Sequence, residues 1–242
     1  MVIGDNLFSI PEALDALEAE LVRDHTVVRY HPRGSGLSTR AGPFDLETDV
    51  ADLAAVLEAA GGGPAVAVGP ANGALVATLC AVRRPDLVGW VVAPTGVPVA
   101  TLQLGQGLAA SREVLKSIGT QMANDYRGII RSVTVTGNPQ YTEEEQRQRV
   151  QMQVEHCPEE TARGRWEAYE RADTTNEAIQ LGDRLWILLH PDMPWWPVEQ
   201  AEPLRELLPE AHVEIVEDGP LSRPDIAAGV VRGISSARSE IP

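Results

Sequence analysis

Residues 68–74 read Val68-Gly69-Pro70-Ala71-Asn72-Gly73-Ala74, or VGPANGA. The run before them, PAVAVG, is a short apolar strand of the kind buried on both faces. The run after them, NGALVATLCAVRRP, is a helix ended by Pro85. The stretch is therefore a strand-to-helix turn held between Gly69 and Gly73. Many enzymes place a nucleophilic serine at the centre of such a turn. Here the central residue is Ala71, which carries no nucleophile.

Outward from this turn the chain alternates strand and helix. LVGWVVAPTG is a second buried strand. Upstream, FDLETDVADLAAVLEAAGGG places Leu46, Val50, Leu53 and Leu57 on one helical stripe, stopped by Gly61, Gly62 and Gly63. HTVVRYHPRGSG is a strand that runs into a glycine turn. SIPEALDALEAELVRD begins with a capping box from Ser9 to Glu12, has Pro11 early, and sets Leu14, Leu17 and Leu21 at helical spacing. These strands lack an alternating polar face, which predicts a parallel sheet covered on both sides.

Residues 105–180 break the rhythm. They are rich in Gln, Glu and Arg, as in YTEEEQRQRVQMQVEH and ETARGRWEAYERAD, and read as a helical insertion. The rhythm resumes with the strand RLWILLHP, a helix around EQAEPLRELLP, the strand HVEIVEDG and the helix PDIAAGVVRGI. The expected organisation is an α/β core of residues 1–104 and 181–242 carrying the insertion 105–180. No internal repeat or low-complexity tract interrupts it.

A chain of 242 residues suits one α/β domain with an insertion. The net charge of −15 and the pI near 4.7 exclude a nucleic-acid or anionic-membrane surface, since phosphates are repelled. No stretch has the apolar length of a membrane span, and the N-terminus lacks the basic-then-apolar pattern of a secretory signal. Cys80 lies in an apolar helix and Cys157 in the insertion, which is no disulfide framework. A cytoplasmic protein with reduced thiols is expected.

The order of elements resembles the α/β-hydrolase fold over nearly the whole chain. RYHPRGSGLS, VGPANGALVATLCAVRRPDLVGWVVAP, LWILLHPDMPWWP and LLPEAHVEIVEDGPLSRPD carry the resemblance. It implies a mostly parallel sheet of about six strands, with helices on both faces and residues 105–180 as a helical cap. The resemblance implies a start at the family's third strand without the first two, so the strand of HTVVRYHP is expected at the sheet edge. An open edge invites pairing, so a homodimer is expected there.

The departures from the family pattern are equally informative. The family's elbow is G-x-S-x-G; this one is Gly69-Pro70-Ala71-Asn72-Gly73. The catalytic acid position falls in HPDMPWWP, where Asp192 is the candidate although Met193 matches the spacing. The histidine position falls in EDGPLSRPD, which offers Pro220 and Leu221, and no histidine follows His212. Without serine and histidine, acyl-enzyme chemistry has no route. A serine replaced by Ala71 alone does not explain the missing histidine.

Backbone amides remain. The resemblance makes Asn72 one oxyanion-hole donor and Asp5, in VIGDNLF, the other. His31 stands where the family has aspartate and ends a strand on the ligand-binding side of the sheet, as does His190. His31 and Asp192 are the candidates to move a proton, and His190 and Asp192 to converge with His31. Their spacing is not a metal signature, and neither metal nor cofactor is expected. Trp195 and Trp196, beside prolines, are candidates to wall a pocket above Ala71. Ser222 reads as a helix cap with Asp225, Asp218 as a weaker acid, and His156 with Cys157 as neighbours of unsuitable geometry.

Three functions compete, all acting on a small-molecule ligand. The first is a non-hydrolytic enzyme of secondary metabolism, for elimination, cyclisation or isomerisation of an apolar metabolite. The second is a non-catalytic, receptor-like binding protein. The third is a hydrolase with a relocated histidine, His190 or His31.

Overall fold

The structure is a computed structural model and describes residues 2–4, 11–61, 63–94, 116–117, 119–137, 140–191, 198–217 and 223–239. Among the described residues there are six strands, β1 (Val2–Gly4), β2 (Val28–Tyr30), β3 (Ala65–Val68), β4 (Val88–Ala93), β5 (Leu185–Leu189) and β6 (His212–Ile215). They form one sheet in the order β2-β1-β3-β4-β5-β6, and every pairing is parallel. Among the described residues the strand of HTVVRYHP is an edge, as the resemblance implied.

Helices cover both faces. On one side lie α1 (Pro11–Leu21) and, at the far end of the chain, a helix over Pro224–Ser239. Leu14, Leu17, Leu21, Ala228 and Val231 there pack with Val66, Val68, Val92 and Leu188 of the sheet. On the other side lie α2 (Leu46–Ala60) and α3 (Gly73–Arg83), whose Val50, Leu53, Leu57, Leu79 and Cys80 pack with Ala67, Val91, Ile187 and Leu189. Leu17 and Leu21 are fully buried, and each such leucine contributes about 1.5–3 kcal/mol. The α2 stripe read from sequence faces this core. Asp45 caps the helix by accepting from the Thr48 amide at 2.7 Å, and Gly61 ends it with φ +68°.

Between β4 and β5 the described residues are helix or connecting loop. They contain α4 (Tyr126–Gly137), α5 (Glu143–His156), α6 (Glu159–Arg171) and α7 (Thr175–Leu181). Met122, Tyr126, Ile130, Val150, Cys157 and Trp166 form a small core of their own. Thr142 and Glu145 close a capping box at the start of α5. After β5 come α8 (Ala201–Leu207), β6 and α9 (Pro224–Ser239). The capping residues Ser9 and Ser222 lie outside the described residues.

Candidate functional site

The elbow is built as the sequence suggests. β3 ends at Val68, α3 begins at Gly73, and Ala71 between them has φ +47°. Among the described residues it alone, other than glycine, has positive φ. Such a conformation costs an alanine roughly 1–3 kcal/mol, which the flanking structure must offset. Gly69 makes the turn possible, since a β-carbon there would lie 2.4 Å from the Gly73 carbonyl oxygen. The first turn of α3 is tight: Gly73 N donates to Pro70 O at 2.9 Å, Ala74 N to Ala71 O at 3.0 Å and Leu75 N to Asn72 O at 3.1 Å.

These bonds leave the Asn72 amide with no acceptor among the described residues. Asn72 is half-buried, with φ −61° and ψ −21°. The amide stands at the positive end of α3 and at the carboxyl end of the sheet, where ligands of α/β proteins bind. An anionic or carbonyl oxygen is the natural partner of such a group. Ala71, half-buried beside it, offers a methyl group and no nucleophile.

His31 follows β2, and His190 follows β5. In the strand order, β2 lies two spacings from β3 on one side and β5 two spacings on the other. Each histidine backbone is thus on the order of 10 Å from the elbow, and the two are roughly 19 Å apart. The expected convergence of His31 with His190 fails for this reason: the parallel crossovers carry their strands to opposite sides of β3.

His31 also has a local occupation. Its Nδ1 accepts the Leu37 amide at 3.1 Å, so that nitrogen carries no proton. Its ring lies against Gly36, where a β-carbon would come within 2.4 Å of Nδ1; Gly36 has φ +51°. The ring meets His156 of α5 edge to face, with centroids 5.2 Å apart and planes at 86°. His31 thus braces the loop of residues 31–40 against the helical segment. Asp5, Asp192, Trp195 and Trp196 lie outside the described residues. Among the described residues no cluster of His, Cys, Asp and Glu has the form of a metal site.

The same loop is tied to the helical segment by further bonds. Gly36 N donates to His156 O at 2.8 Å, Arg40 donates to His156 O at 3.3 Å while also holding Gly34 O and Gly36 O of its own loop, and Thr161 Oγ1 donates to Gly34 O at 3.3 Å. Beneath them is a buried ionic network. Arg165 of α6 forms a two-pronged pair with Asp49 of α2, Nε–Oδ2 2.9 Å and Nη2–Oδ1 2.7 Å, and donates to Ser35 Oγ at 3.2 Å. Tyr169 donates its hydroxyl to Asp49 Oδ2 at 2.6 Å. Arg165 and Asp49 are 4 % and 5 % exposed. Burial, then the neighbouring Asp49 charge, pushes the hydroxyls of Tyr169 and Tyr30 well above their ordinary range. For Arg165, burial opposes the charge, but its bonds to Asp49 outweigh this and raise its pKa. One turn along α2, Arg33 pairs with Asp52 at 2.9 and 2.7 Å. Sequence reading missed this network because its members are 116 and 120 residues apart and read individually as solvated charges.

No family model matches the chain, and a search of curated proteins finds no match. Solved structures do match. An α/β-hydrolase enzyme from a Medee basin deep-sea metagenome library superposes with TM-score 0.71 at 18 % identity, covering 97 % of this chain and 89 % of that one. An esterase from Exiguobacterium antarcticum gives 0.76 at 15 %, covering 98 % and 90 %. The Bacillus megaterium epoxide hydrolase gives 0.76 at 16 %, covering 98 % and 93 %. At such identities the likeness establishes architecture. Six parallel strands, helices on both faces and a tight elbow after β3 make this chain a protein of the α/β-hydrolase fold.

Proposed function

We propose that this chain binds a small molecule bearing a carbonyl, enol or phenol oxygen at the elbow and acts on it without an acyl-enzyme. The observation that carries the reading is Ala71 at φ +47° beside the Asn72 amide, which has no acceptor among the described residues. The turn keeps its costly geometry with no hydroxyl to present. What it still presents is a backbone donor at a helix N-terminus, which stabilises negative charge on oxygen. That suits enolate chemistry, such as elimination or isomerisation, in which a ligand proton moves while its oxygen is held. In this reading residues 105–180 cap the site, Asp5 supplies a second amide, and Trp195 and Trp196 wall the pocket. His190 or Asp192 moves the proton and His31 holds the loop. The protein works in the cytoplasm, and a second copy covers the β2 edge.

A second reading is hydrolysis by a water molecule, activated without serine. The names of the fold neighbours, esterase and epoxide hydrolase among them, favour it. Native mass spectrometry of the protein mixed with a metabolite extract of its source organism separates the two. The first reading predicts a non-covalent complex or a product isomeric with, or eliminated from, its substrate. Products that gain the mass of one water support the second.

A further inference from the structure

A second arrangement of reactive groups lies at the opposite end of the sheet. Val28, which opens β2, is paired with Val2, which opens β1. His25, just before β2, is therefore at the amino-terminal edge of the sheet, away from the elbow. Its Nδ1 is 2.7 Å from Asp24 Oδ1, and its Nε2 is 2.9 Å from Ser235 Oγ in the last turns of α9. The order of atoms is carboxylate, Nδ1, Nε2, hydroxyl. This is the order in which an imidazole activates a serine.

The surroundings charge the carboxylate. Asp24 Oδ2 receives Arg232 Nε at 2.7 Å, and Arg232 then His25 hold the Asp24 carboxyl below the usual carboxylate range. Asp24 is thus ionised and accepts the Nδ1 proton. Arg232 Nη2 donates to Glu20 O at 2.7 Å, and Arg23 pairs with Glu20. Among the described residues, the charged groups linked to Asp24 are Arg232, Glu20 and Arg23. Ser235 Oγ is also 2.9 Å from Val231 O. Serine has one proton to give. In the structure that proton goes to Val231 O, and with a neutral imidazole it can turn to Nε2, 2.9 Å away. When the imidazole is charged, Nε2 donates and the serine proton stays on Val231 O. The His25 side chain is 17 % exposed and Ser235 is half-buried, so a small reagent reaches both.

We propose that Ser235 is a second, covalent site, a hydroxyl activated by His25 and oriented by Asp24 that takes acyl or phosphonyl groups from small activated esters. Ser235 Oγ bonds to the carbonyl carbon while its proton passes to His25 Nε2. The ester C–O bond then breaks, and the imidazolium returns the proton to the departing alkoxide. Acyl-serine and alcohol are the products, and water repeats the sequence to release the acid. The carboxyl-terminal ends of α1 and α9 border the site, and these negative helix poles favour imidazolium more than an oxyanion. Donors with good leaving groups are therefore required.

The test is exposure of the whole protein to an alkyl fluorophosphonate from pH 5 to 9, followed by peptide mapping. Oγ–P forms, P–F breaks and the proton goes to His25. We expect a single adduct at Ser235. His25→Gln lowers the rate by about 10²-fold or more. Asp24→Asn lowers it less, and Ser235→Ala abolishes it. Absence of an adduct on Ser235 from the wild-type protein at every pH overturns the proposal without reference to any variant. So does a rate unchanged in a folded His25→Gln protein.

Discussion

A β-carbon on Gly69 would sit 2.4 Å from the carbonyl oxygen of Gly73 and 2.7 Å from the amide nitrogen of Ala74. Both contacts are to backbone, so they cannot be relieved by a side-chain rotation. Gly69→Ala is expected to destabilise the fold by at least about 1–3 kcal/mol. Ala71→Gly removes the strain of a positive φ but frees the unfolded chain, so it is expected to change stability by under about 1 kcal/mol. Chemical denaturation of both variants checks the pair. A Gly69→Ala protein as stable as the wild type contradicts the elbow geometry.

The Asp49–Arg165–Tyr169 network predicts an asymmetry. Arg165→Leu leaves Asp49 buried without its main partner and is expected to cost about 3–5 kcal/mol. Tyr169→Phe removes one bond to a charged acceptor and is expected to cost about 1.5–3 kcal/mol. Because both act on Asp49, the double variant should lose less than the sum. Additive losses in urea titrations would show that the groups do not form one network.

The thiols should be silent in the native state. Cys80 is fully buried, and burial pushes its thiol up to about 11; Cys157 is 1 % exposed. Iodoacetamide at pH 8 is expected to modify neither thiol until the protein is unfolded, and both thereafter. Rapid native alkylation would place these residues elsewhere.

Stability should fall at both pH extremes. Asp45 is held low by the Thr48 amide, Glu47 by Arg83, and Asp86 by Arg84. For carboxyls depressed in the folded state, the contribution is present above about pH 4 and is lost as pH falls through the folded values. Tyr30 and Tyr169 are raised, chiefly by burial. Their contribution is complete below about pH 10 and is lost as pH rises above it, because the unfolded hydroxyls ionise first. Thermal melts from pH 3 to 11 should trace a dome. A melting temperature that still rises above pH 10 contradicts the desolvation of these two half-buried tyrosines.

Much of the core could be read from local pattern. Leu46, Val50, Leu53, Leu57 and Gly61 specify a helix, its buried face and its stop within sixteen residues, and the structure follows them. The strained turn at Ala71 was readable because two glycines mark it. What joins distant segments was not readable. Arg165 and Asp49 look like solvated charges until the fold buries them together. Asp24 and His25 are adjacent in sequence but acquire Ser235 only across 210 residues. His31 is a related case. Its strand-end position suggested proton transfer, whereas its Nδ1 holds the Leu37 amide and its ring braces α5.

The central claim is that the Asn72 amide receives the oxygen of a non-covalent ligand. It is tested most directly by ¹⁵N–¹H amide spectra of the protein titrated with a substituted phenolate, a stable stand-in for an enolate. The account predicts a saturable downfield shift of the Asn72 amide with no covalent mass added, while the Leu37 amide stays in place. It also predicts loss of that shift when Ala71→Leu fills the space beside the amide. An Asn72 resonance that does not move at any phenolate concentration contradicts the account.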